Sequence, residues 1–471
     1  LVQTILSVGR GMADETMVRA FVDGITPAIE KLKGMGVQLK AAQAQTQKDF
    51  IPCFDHKHRA WNGILADSAR AVFAKRMAEL PIQQMVGCAL LDITTAENSV
   101  TGVLVKTAEN TLAWLGCKSL VLATGGYGGL FARRLTTDDV GGMGQYLALQ
   151  HGCTLVNMEF MQMMPGYLSP CPKTIFNEKT FRYAVLRDAD GVPLLENCAD
   201  KAALLAQRST HGPFTTRLAS KEVDYAMMQA KNAEKQGITV TYSAEMQENM
   251  PEFIKTYFDW LLEKKHLTPQ DSVQIALFAH AANGGIQIAP DTATPLKGLF
   301  ACGEVTGGMH GADRIGGLST ANGLVFGQKA GAAAAKYAAT VLQDSTESPL
   351  TIDCYQIENS TELREKMRET MSSAGMIRRD EAHLQAALTA LCTLQKQCVK
   401  TPTADGAKVA KARLLEAQLA LAVCILKAEL LRRESRGSHD RADFETENTA
   451  MQQKIYIQKQ GETVCFADEK Q

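Results

Sequence analysis

Apolar residues recur at helical spacing from the start of the chain. Met17, Val18, Phe21, Val22, Ile25, Ile29 and Leu32 share one face of a segment from Met12 to Leu39, which closes at Gly34 and Gly36. That pattern predicts an amphipathic helix with a glycine stop. Ser68 to Leu80 predicts a second helix. Ile82 to Val86, Leu90 to Thr94 and Ser99 to Lys106 are predicted strands separated by turns. Ser119 to Leu122 is a short apolar run that passes into glycines, as strands covered on both faces do. From about His151 to Leu277 the pattern is mixed and broken by Gly and Pro, which predicts an inserted second domain. Glycine-rich chain returns near Ala279 and leads into a small-residue helix, Ala332 to Tyr337. Past Pro349, Ser360 to Ala374, Glu381 to Gln397 and Ala407 to Arg433 predict a bundle of three amphipathic helices. Asp440 to Gln471 is polar and weakly patterned.

This order of elements predicts an α/β chain with an inserted α+β domain and a helical C-terminal part. At 471 residues, two or three domains are expected. Charge changes the picture only by exclusion. The net charge of −1 offers no field to hold nucleic acid or an anionic bilayer, so neither is an expected partner. The longest apolar stretch, Leu414 to Leu431, carries Glu416, Lys427 and Glu429 and reads as a buried helix, not a membrane span. None of the 12 cysteines forms a Cys-x-x-Cys pair, which argues against a zinc ribbon or an iron–sulfur cluster held by this chain; no metal is expected. Unpaired thiols at this density fit a reducing compartment, so a cytoplasmic location is expected.

Two glycine clusters carry the candidate chemistry. Ala123-Thr-Gly-Gly126 ends an apolar strand and lets the backbone approach a ligand closely, although a plain turn would look the same. The second cluster is more specific: Gly298 to Glu304, Gly307 to Gly311, Arg314 to Ser319 and Gly323 to Gly327. A strand runs into a glycine turn, an acid follows, and a helix opens near Ser319. The Glu304 carboxylate can accept hydrogen bonds from sugar or ribityl hydroxyls, and the helix start aims free N–H groups at a ring edge or phosphate.

The run Gly303-Glu-Val-Thr-Gly-Gly-Met-His-Gly-Ala-Asp-Arg-Ile-Gly-Gly317 resembles the FAD-closing motif of the fumarate reductase and succinate dehydrogenase flavoproteins, a family that includes L-aspartate oxidase. Ala123 to Gly126, Met158-Glu-Phe-Met-Gln162 with Pro165, and Glu434-Ser-Arg-Gly-Ser-His439 agree with it in order. The resemblance covers nearly the whole chain. It implies a Rossmann-like FAD-binding domain (1–150 and 279–345), an inserted capping domain (151–278), a helical domain (350–439) and a tail (440–471). It implies FAD as cofactor, contacted by Thr124, Gly125, Gly126, Glu304, Ser319 and Thr320. The family's opening strand, Gly-x-Gly-x-x-Gly turn and helix have no counterpart here. The chain is therefore expected to be incomplete at its N-terminal side, with covalent attachment of FAD left open.

In the fumarate reductase and succinate dehydrogenase members the reaction makes or removes a carbon–carbon double bond beside a carboxylate. By resemblance His280 and Arg314 bind that carboxylate, a role the planar guanidinium fork suits. Three positions depart from the family. Met164 stands in place of a carboxylate-binding histidine, Asn177 and Glu178 align with a Thr-Glu pair, and Lys221 followed by Glu222 replaces the proton-shuttling arginine and its aspartate. Arg217, one helical turn before Lys221, is the alternative shuttle. Met143 replaces a further acid near the cofactor. These changes lead to an expected substrate whose far end is less polar than that of fumarate or succinate. The C-terminal helices resemble members that dock on an iron–sulfur electron-transfer subunit, which would place the protein peripherally on the cytoplasmic membrane face; L-aspartate oxidase shares them and works without one. Two alternatives stay open beside this enzyme: a degenerate FAD-binding subunit that serves as electron conduit or scaffold, and an amino-acid oxidase of the L-aspartate oxidase type.

Overall fold

The Asp14 side chain accepts a hydrogen bond from the Met17 N–H and so caps the first long helix, Glu15–Gly34, which buries Met17, Val18, Phe21, Ala28 and Leu32. This is the predicted amphipathic helix, preceded by a shorter one at Val2–Val8. The computed structural model describes residues 1–41, 54, 57, 62–248, 250–341, 353–461 and 463–468. The Glu15–Gly34 helix packs on Leu318–Thr340 through Phe21 and Phe326, whose rings stack at 6.5 Å. Beside them lies a parallel pair of strands, Leu120–Leu122 and Leu299–Ala301. The latter is buried throughout and the former packs against the same core.

Two four-stranded sheets and a three-stranded one complete the β structure that bears on the site. Ala89–Ala96, Ser99–Lys106 and Leu112–Gly116 form an antiparallel meander. Met161–Ser169, Val273–Ala282, Ile238–Tyr242 and Ala184–Arg187 form an antiparallel sheet in that order, built from the stretch predicted to be an insertion. Its last strand in sequence runs back into the glycine-rich body. The helix Glu252–Lys265 covers one face of it, with the Tyr257 hydroxyl donating to that of Tyr167. The second four-stranded sheet joins Gly285–Ile286, Leu155–Val156, Ile455–Gln460 and Thr463–Asp468.

The C-terminal helices fall at Ser360–Ala374, Glu381–Gln397 and Gly406–Leu431, close to the predicted bounds. Asp380 and Asp405 cap the second and third with their side chains. The third runs through the core: Leu415, Leu421, Ile425 and Leu426 are fully buried. Each such side chain contributes roughly 1.5–3 kcal/mol by leaving water. The mixed α/β class and the helical C-terminal region are as expected.

Two predicted features differ. Ile82–Val86 forms no strand: Val86 is 80% exposed, and Pro81 and the positive-φ Gly87 (φ 76°) bracket a segment with no paired neighbour. Alternating apolar residues make a strand only where an edge accepts them. Conversely, the weakly patterned tail folds into the hairpin Ile455–Gln460 and Thr463–Asp468, because it finds such an edge at Leu155–Val156 and buries Ile455 and Ile457.

Candidate functional site

At the end of strand Leu120–Leu122 the chain turns through Gly125, whose φ of 73° favours glycine, into buried Gly126. A Cβ on Gly126 would stand 2.5 Å from Glu304 Oε1, so the glycine is what lets the two segments meet. Glu304 follows strand Leu299–Ala301 in a short 3-10 turn, and its Oε1 accepts the Ala282 N–H at 2.8 Å. Burial pushes its carboxyl up, against the opposing pull of that N–H and of Arg314. The Leu318–Thr340 helix opens at Gly317 (φ 81°) with no side-chain cap, leaving Ser319 and Thr320 exposed in its first turn. A side-chain carboxylate, a glycine backbone and an uncapped helix start thus occupy one surface, and Thr124 lies exposed at its rim. Hydroxyls can donate to the first, and an electron-rich ring edge or anion suits the last. A cavity of about 380 Å³ adjoins Gly317 and Thr320, walled by Ile25, Ile29 and Leu324.

Arg314 is buried beside this surface. Its Nε donates to Gln162 Oε1 at 3.1 Å and its Nη1 to Ser319 Oγ at 3.2 Å. His280 sits where the pairing of Val273–Ala282 with Met161–Ser169 shifts register between Ala279 and Ala281. The extra residue of such a bulge is re-aimed out of the ladder. Burial, then the charge of Arg314, push His280 down to about 4 from its ordinary 6.5, so it is neutral at pH 7. His310 is pushed down for the same two reasons, and its Nδ1 is buried with no hydrogen-bond partner among the described residues. Gln162 Nε2 is likewise buried without a partner. One guanidinium among neutral imidazoles and an unspent amide group can pair chemically with a carboxylate.

The remaining predicted residues are distributed unevenly. Met164 is buried two residues beyond Gln162, on the same face of its strand, and pairs with Phe278 in register. Asn177 and Glu178 do not join it. Asn177 caps a 3-10 turn through the Lys179 N–H, and both residues line a separate cleft of about 480 Å³ with Lys173, Tyr257 and Trp260, which contains neither His280 nor Arg314. Lys221 begins the helix Lys221–Gln229, and its ammonium lies along it, 5.9 Å from the Tyr225 ring. Arg217 turns the other way: its Nε donates to Asp313 Oδ2 at 2.9 Å. Met143 opens the helix Met143–Gln150 near the Gly125 turn, where Gln145 donates to the Gly125 carbonyl.

Sequence reasoning missed His310, Asp313 and Thr215 as site residues. The first two lay within the glycine motif already singled out. Thr215, whose hydroxyl donates to Asp313 Oδ2 at 2.8 Å, carried no signal.

The motif Glu434 to His439 lies in a buried network of charge. Glu434 accepts from Arg432 Nη1 (2.8 Å), Arg436 Nε (2.7 Å), Arg436 Nη2 (2.8 Å) and the Asn448 N–H (2.8 Å). His439 Nδ1 accepts from Arg379 at 2.5 Å, which leaves Nε2 to donate to the Arg432 carbonyl; burial and the nearby arginines hold it neutral. The loop between them grips the site. Ser438 donates through Oγ and N–H to the Ala312 carbonyl, and the Thr216 N–H and hydroxyl donate to the Gly437 carbonyl.

A family profile described as "FAD binding domain" matches residues 2–320, and one described as "Fumarate reductase flavoprotein C-term" matches 364–467. The chain is 29% identical over 343 residues to one of the subunits of the fumarate reductase (CoM/CoB) of Methanothermobacter marburgensis, covering 69% of this chain and 61% of that one. It is 27% identical over 466 residues to the L-aspartate oxidase of Mesorhizobium japonicum, covering 93% and 80%. The solved structure of Mycobacterium smegmatis Sdh1 in complex with UQ1 superposes with a TM-score of 0.78 at 22% identity, over 99% of this chain and 83% of that one. The quinol fumarate reductase FrdA of E. coli gives 0.77 at 20%, over 99% and 86%. Against the fumarate reductase flavoprotein subunit of E. coli, at 26% identity, the chain spans 63% of the relative's length. With two thirds of its length matched by the FAD-binding profile and most of the remainder by the flavoprotein C-terminal one, the chain belongs to the FAD-dependent fumarate reductase and succinate dehydrogenase flavoprotein family, which includes L-aspartate oxidase.

Proposed function

We propose that the protein is an FAD-dependent oxidoreductase that reduces, or in reverse forms, the carbon–carbon double bond next to a carboxylate, on an acid less polar at its far end than fumarate. The observation that carries this reading is the buried Arg314 guanidinium flanked by neutral His280 and His310, next to the Glu304 turn. The residues fit FAD: the Thr124 to Gly126 backbone and Glu304 would hold it through polar groups, and the uncapped helix start at Ser319 and Thr320 would face its electron-rich edge. Bound FAD would supply hydride transfer.

The chain's own residues do the rest. Arg314 contributes the positive charge that holds and polarises the substrate carboxylate, and its contact with Gln162 keeps the guanidinium plane fixed. His280, neutral at pH 7, donates a hydrogen bond to the same carboxylate without adding a second charge. Met164 gives the pocket an apolar wall, which supports a monocarboxylic enoate over a dicarboxylate. The net change is the addition of two electrons and two protons across the double bond, the electrons arriving from a separate donor. Relatives named as subunits favour a separate protein as that donor, and the resemblance of the C-terminal helices to members that dock on an iron–sulfur subunit favours one of that kind. No described helix is long and apolar enough to cross a membrane.

The second reading, an electron conduit without a substrate, draws support from the positions of Lys221, Asn177 and Glu178 away from Arg314. Turnover of a series of enoates by the full-length, FAD-loaded protein separates the two. An enzyme loses at least a hundredfold in kcat/KM on Arg314→Met, the scale of truncating one partner of a buried charge pair. A conduit shows no enoate turnover and passes electrons undiminished after the same change.

A further inference from the structure

Between the inserted domain and the glycine-rich body, Asp313 receives two side-chain bonds on one oxygen: Arg217 Nε at 2.9 Å and Thr215 Oγ1 at 2.8 Å. Asp313 is fully buried and immediately precedes Arg314 in the chain. The Arg217 guanidinium lies over Phe54, 4.9 Å from its ring centre, and Phe54 stacks in turn on His211 at 5.4 Å. His211 is itself fixed: Nδ1 donates to the Pro213 carbonyl and Nε2 accepts from the Ser220 hydroxyl. Arg217 is therefore located on three sides, by a carboxylate, an aromatic face and a backbone anchored through Thr216 to Gly437. Only Nε of the fork is spent on Asp313. Among the described residues neither terminal nitrogen has a hydrogen-bond partner, although the guanidinium is mostly buried.

Lys221 has the opposite circumstances. Its ammonium lies over Tyr225, whose ring also stacks on Arg378 and whose hydroxyl donates to Asp440. That places the lysine on the side of its helix that faces the C-terminal loop.

We propose that Arg217 is the cation of the inserted domain that meets the substrate, and that Asp313 is the positioning residue that aims it by fixing Nε and leaving the two terminal nitrogens of the fork for the ligand. The inference rests on the reading of the site as one for an enoate. It departs from the position at which the family resemblance puts the corresponding cation. The part of Arg217 is to attract and orient the electron-rich end of the substrate through the planar fork. The groups facing Asp313 are Arg217 and Thr215 from the inserted domain and Arg10 from the turn before Glu15–Gly34. Burial raises the Asp313 carboxyl to about 6, so below that pH the clasp loses its negative half.

The test uses the full-length, FAD-loaded protein and two readouts. In turnover, Arg217→Met is expected to lower kcat/KM at least a hundredfold and Lys221→Met less than threefold. Asp313→Asn should cost about tenfold at pH 7.5 and flatten the fall in kcat/KM that the unsubstituted protein shows below pH 6. In chemical modification, a saturated monocarboxylate such as butyrate should protect Arg217 from phenylglyoxal, read by mass spectrometry, and leave the reaction of Lys221 with an amine reagent unchanged. Protection of Lys221 and not Arg217, or of neither, overturns the inference, as does loss of turnover in Lys221→Met with Arg217→Met unaffected. Absence of enoate turnover in the unsubstituted protein would sink the functional reading by itself, and the protection pattern would still decide this one. If Arg217→Met fails to fold, Arg217→Lys retains charge without the fork and is expected to lose at least tenfold.

Discussion

Glu434 and Glu429 are both fully buried acids of the C-terminal network, and the structure assigns them opposite sensitivity to the same change. Glu434 accepts four hydrogen bonds, three of them from arginines. In Glu434→Gln one of the two acceptor oxygens becomes an NH2 group, so whichever way the amide sits it faces donors that it cannot satisfy. With the amide oxygen at the Oε1 position, the casualties are one charged bond from the buried Arg436 Nη2, which then faces another donor, and the bond from the Asn448 N–H at the edge of the network. A charge-assisted bond is worth about 1.5–3 kcal/mol and an orphaned buried donor costs about 1–3. The loss should therefore be about 3–5 kcal/mol, the range known for breaking a buried charge pair. Glu429 accepts no hydrogen bond among the described residues, although Arg379 Nη2 is 3.2 Å away, and burial pushes its carboxyl up to about 8. It is mostly protonated at pH 7, so Glu429→Gln replaces a neutral acid by a neutral amide and should cost under about 1 kcal/mol. Native-state hydrogen exchange at the Thr216, Ser438 and Asn448 amides reads the difference directly. At about 1.4 kcal/mol per decade, Glu434→Gln should speed their exchange by at least about a hundredfold, and Glu429→Gln by less than about tenfold. Equal acceleration in the two variants, or less than about fivefold in Glu434→Gln, would refute the assignment of the load to Glu434.

Gly126→Ala forces a Cβ to within 2.5 Å of Glu304 Oε1, an atom held by the Ala282 N–H. The carboxylate must give up that bond, so FAD affinity should drop about 10–100-fold by flavin-release titration; unchanged retention would show that the turn is mere connection. Met164→His puts a donor into the apolar wall and should raise the dicarboxylate-to-monocarboxylate ratio of kcat/KM by about tenfold, roughly one hydrogen bond's worth. An unchanged ratio would detach Met164 from specificity. His280 has a folded-state pKa near 4 against 6.5 in the unfolded chain, so the unfolded chain takes up the proton first and stability falls as pH drops from about 6.5 through 4. The single-site loss is up to about 3 kcal/mol. His310 and His439 act in the same direction. Urea midpoints from pH 7 to 4.5 should decline, less so in His280→Gln; parallel curves would contradict the buried, neutral assignment.

Legibility in the sequence followed the range of the interactions. The helices Ser360–Ala374 and Glu381–Gln397 were readable almost to the residue because their signals are local: an apolar face, Asp380 as cap, and Gly375 as stop. Glu304 and Arg314 were readable because close approach demands glycines around them. The tail hairpin was harder, since Ile455, Ile457, Val464 and Phe466 alternate among polar residues and become a strand pair only beside Leu155–Val156. Its mirror image is Ile82–Val86, apolar enough for a strand and given no edge. The bulge that turns out His280 depends on a register shift between strands more than 100 residues apart in sequence, for which the chain carries no local mark. Lys221 was legible as a cation at the right place in a motif, but its direction was set by Tyr225 one turn further along the same helix.

The same contrast explains why a motif more than a hundred residues from the chemistry is tied to it. Arg314 and Arg217 arrive from different parts of the fold, and the backbone beside each is tied to the same place: Ala312 lies two residues before Arg314 and Thr216 directly before Arg217. A single loop meets both. Gly437 has a φ of 57°, and a Cβ there would stand 2.8 Å from the carbonyl carbon, oxygen and Cβ of Ala312, so the contact admits no side chain. From that position its carbonyl takes the Thr216 N–H and hydroxyl, while Ser438 next to it holds Ala312. Arg436, fixed by Glu434, donates to the Arg10 carbonyl and so ties the loop to the turn whose charge faces Asp313. The burial of so many charges around residues 432–441 is costly in itself, and hydrophobic replacements would often be neutral or better for stability alone. What such replacements would not supply is direction. A guanidinium fork locked by a carboxylate fixes the direction of the loop, and the loop in turn ties together the backbones that carry Arg314 and Arg217, the two cations proposed to meet the substrate.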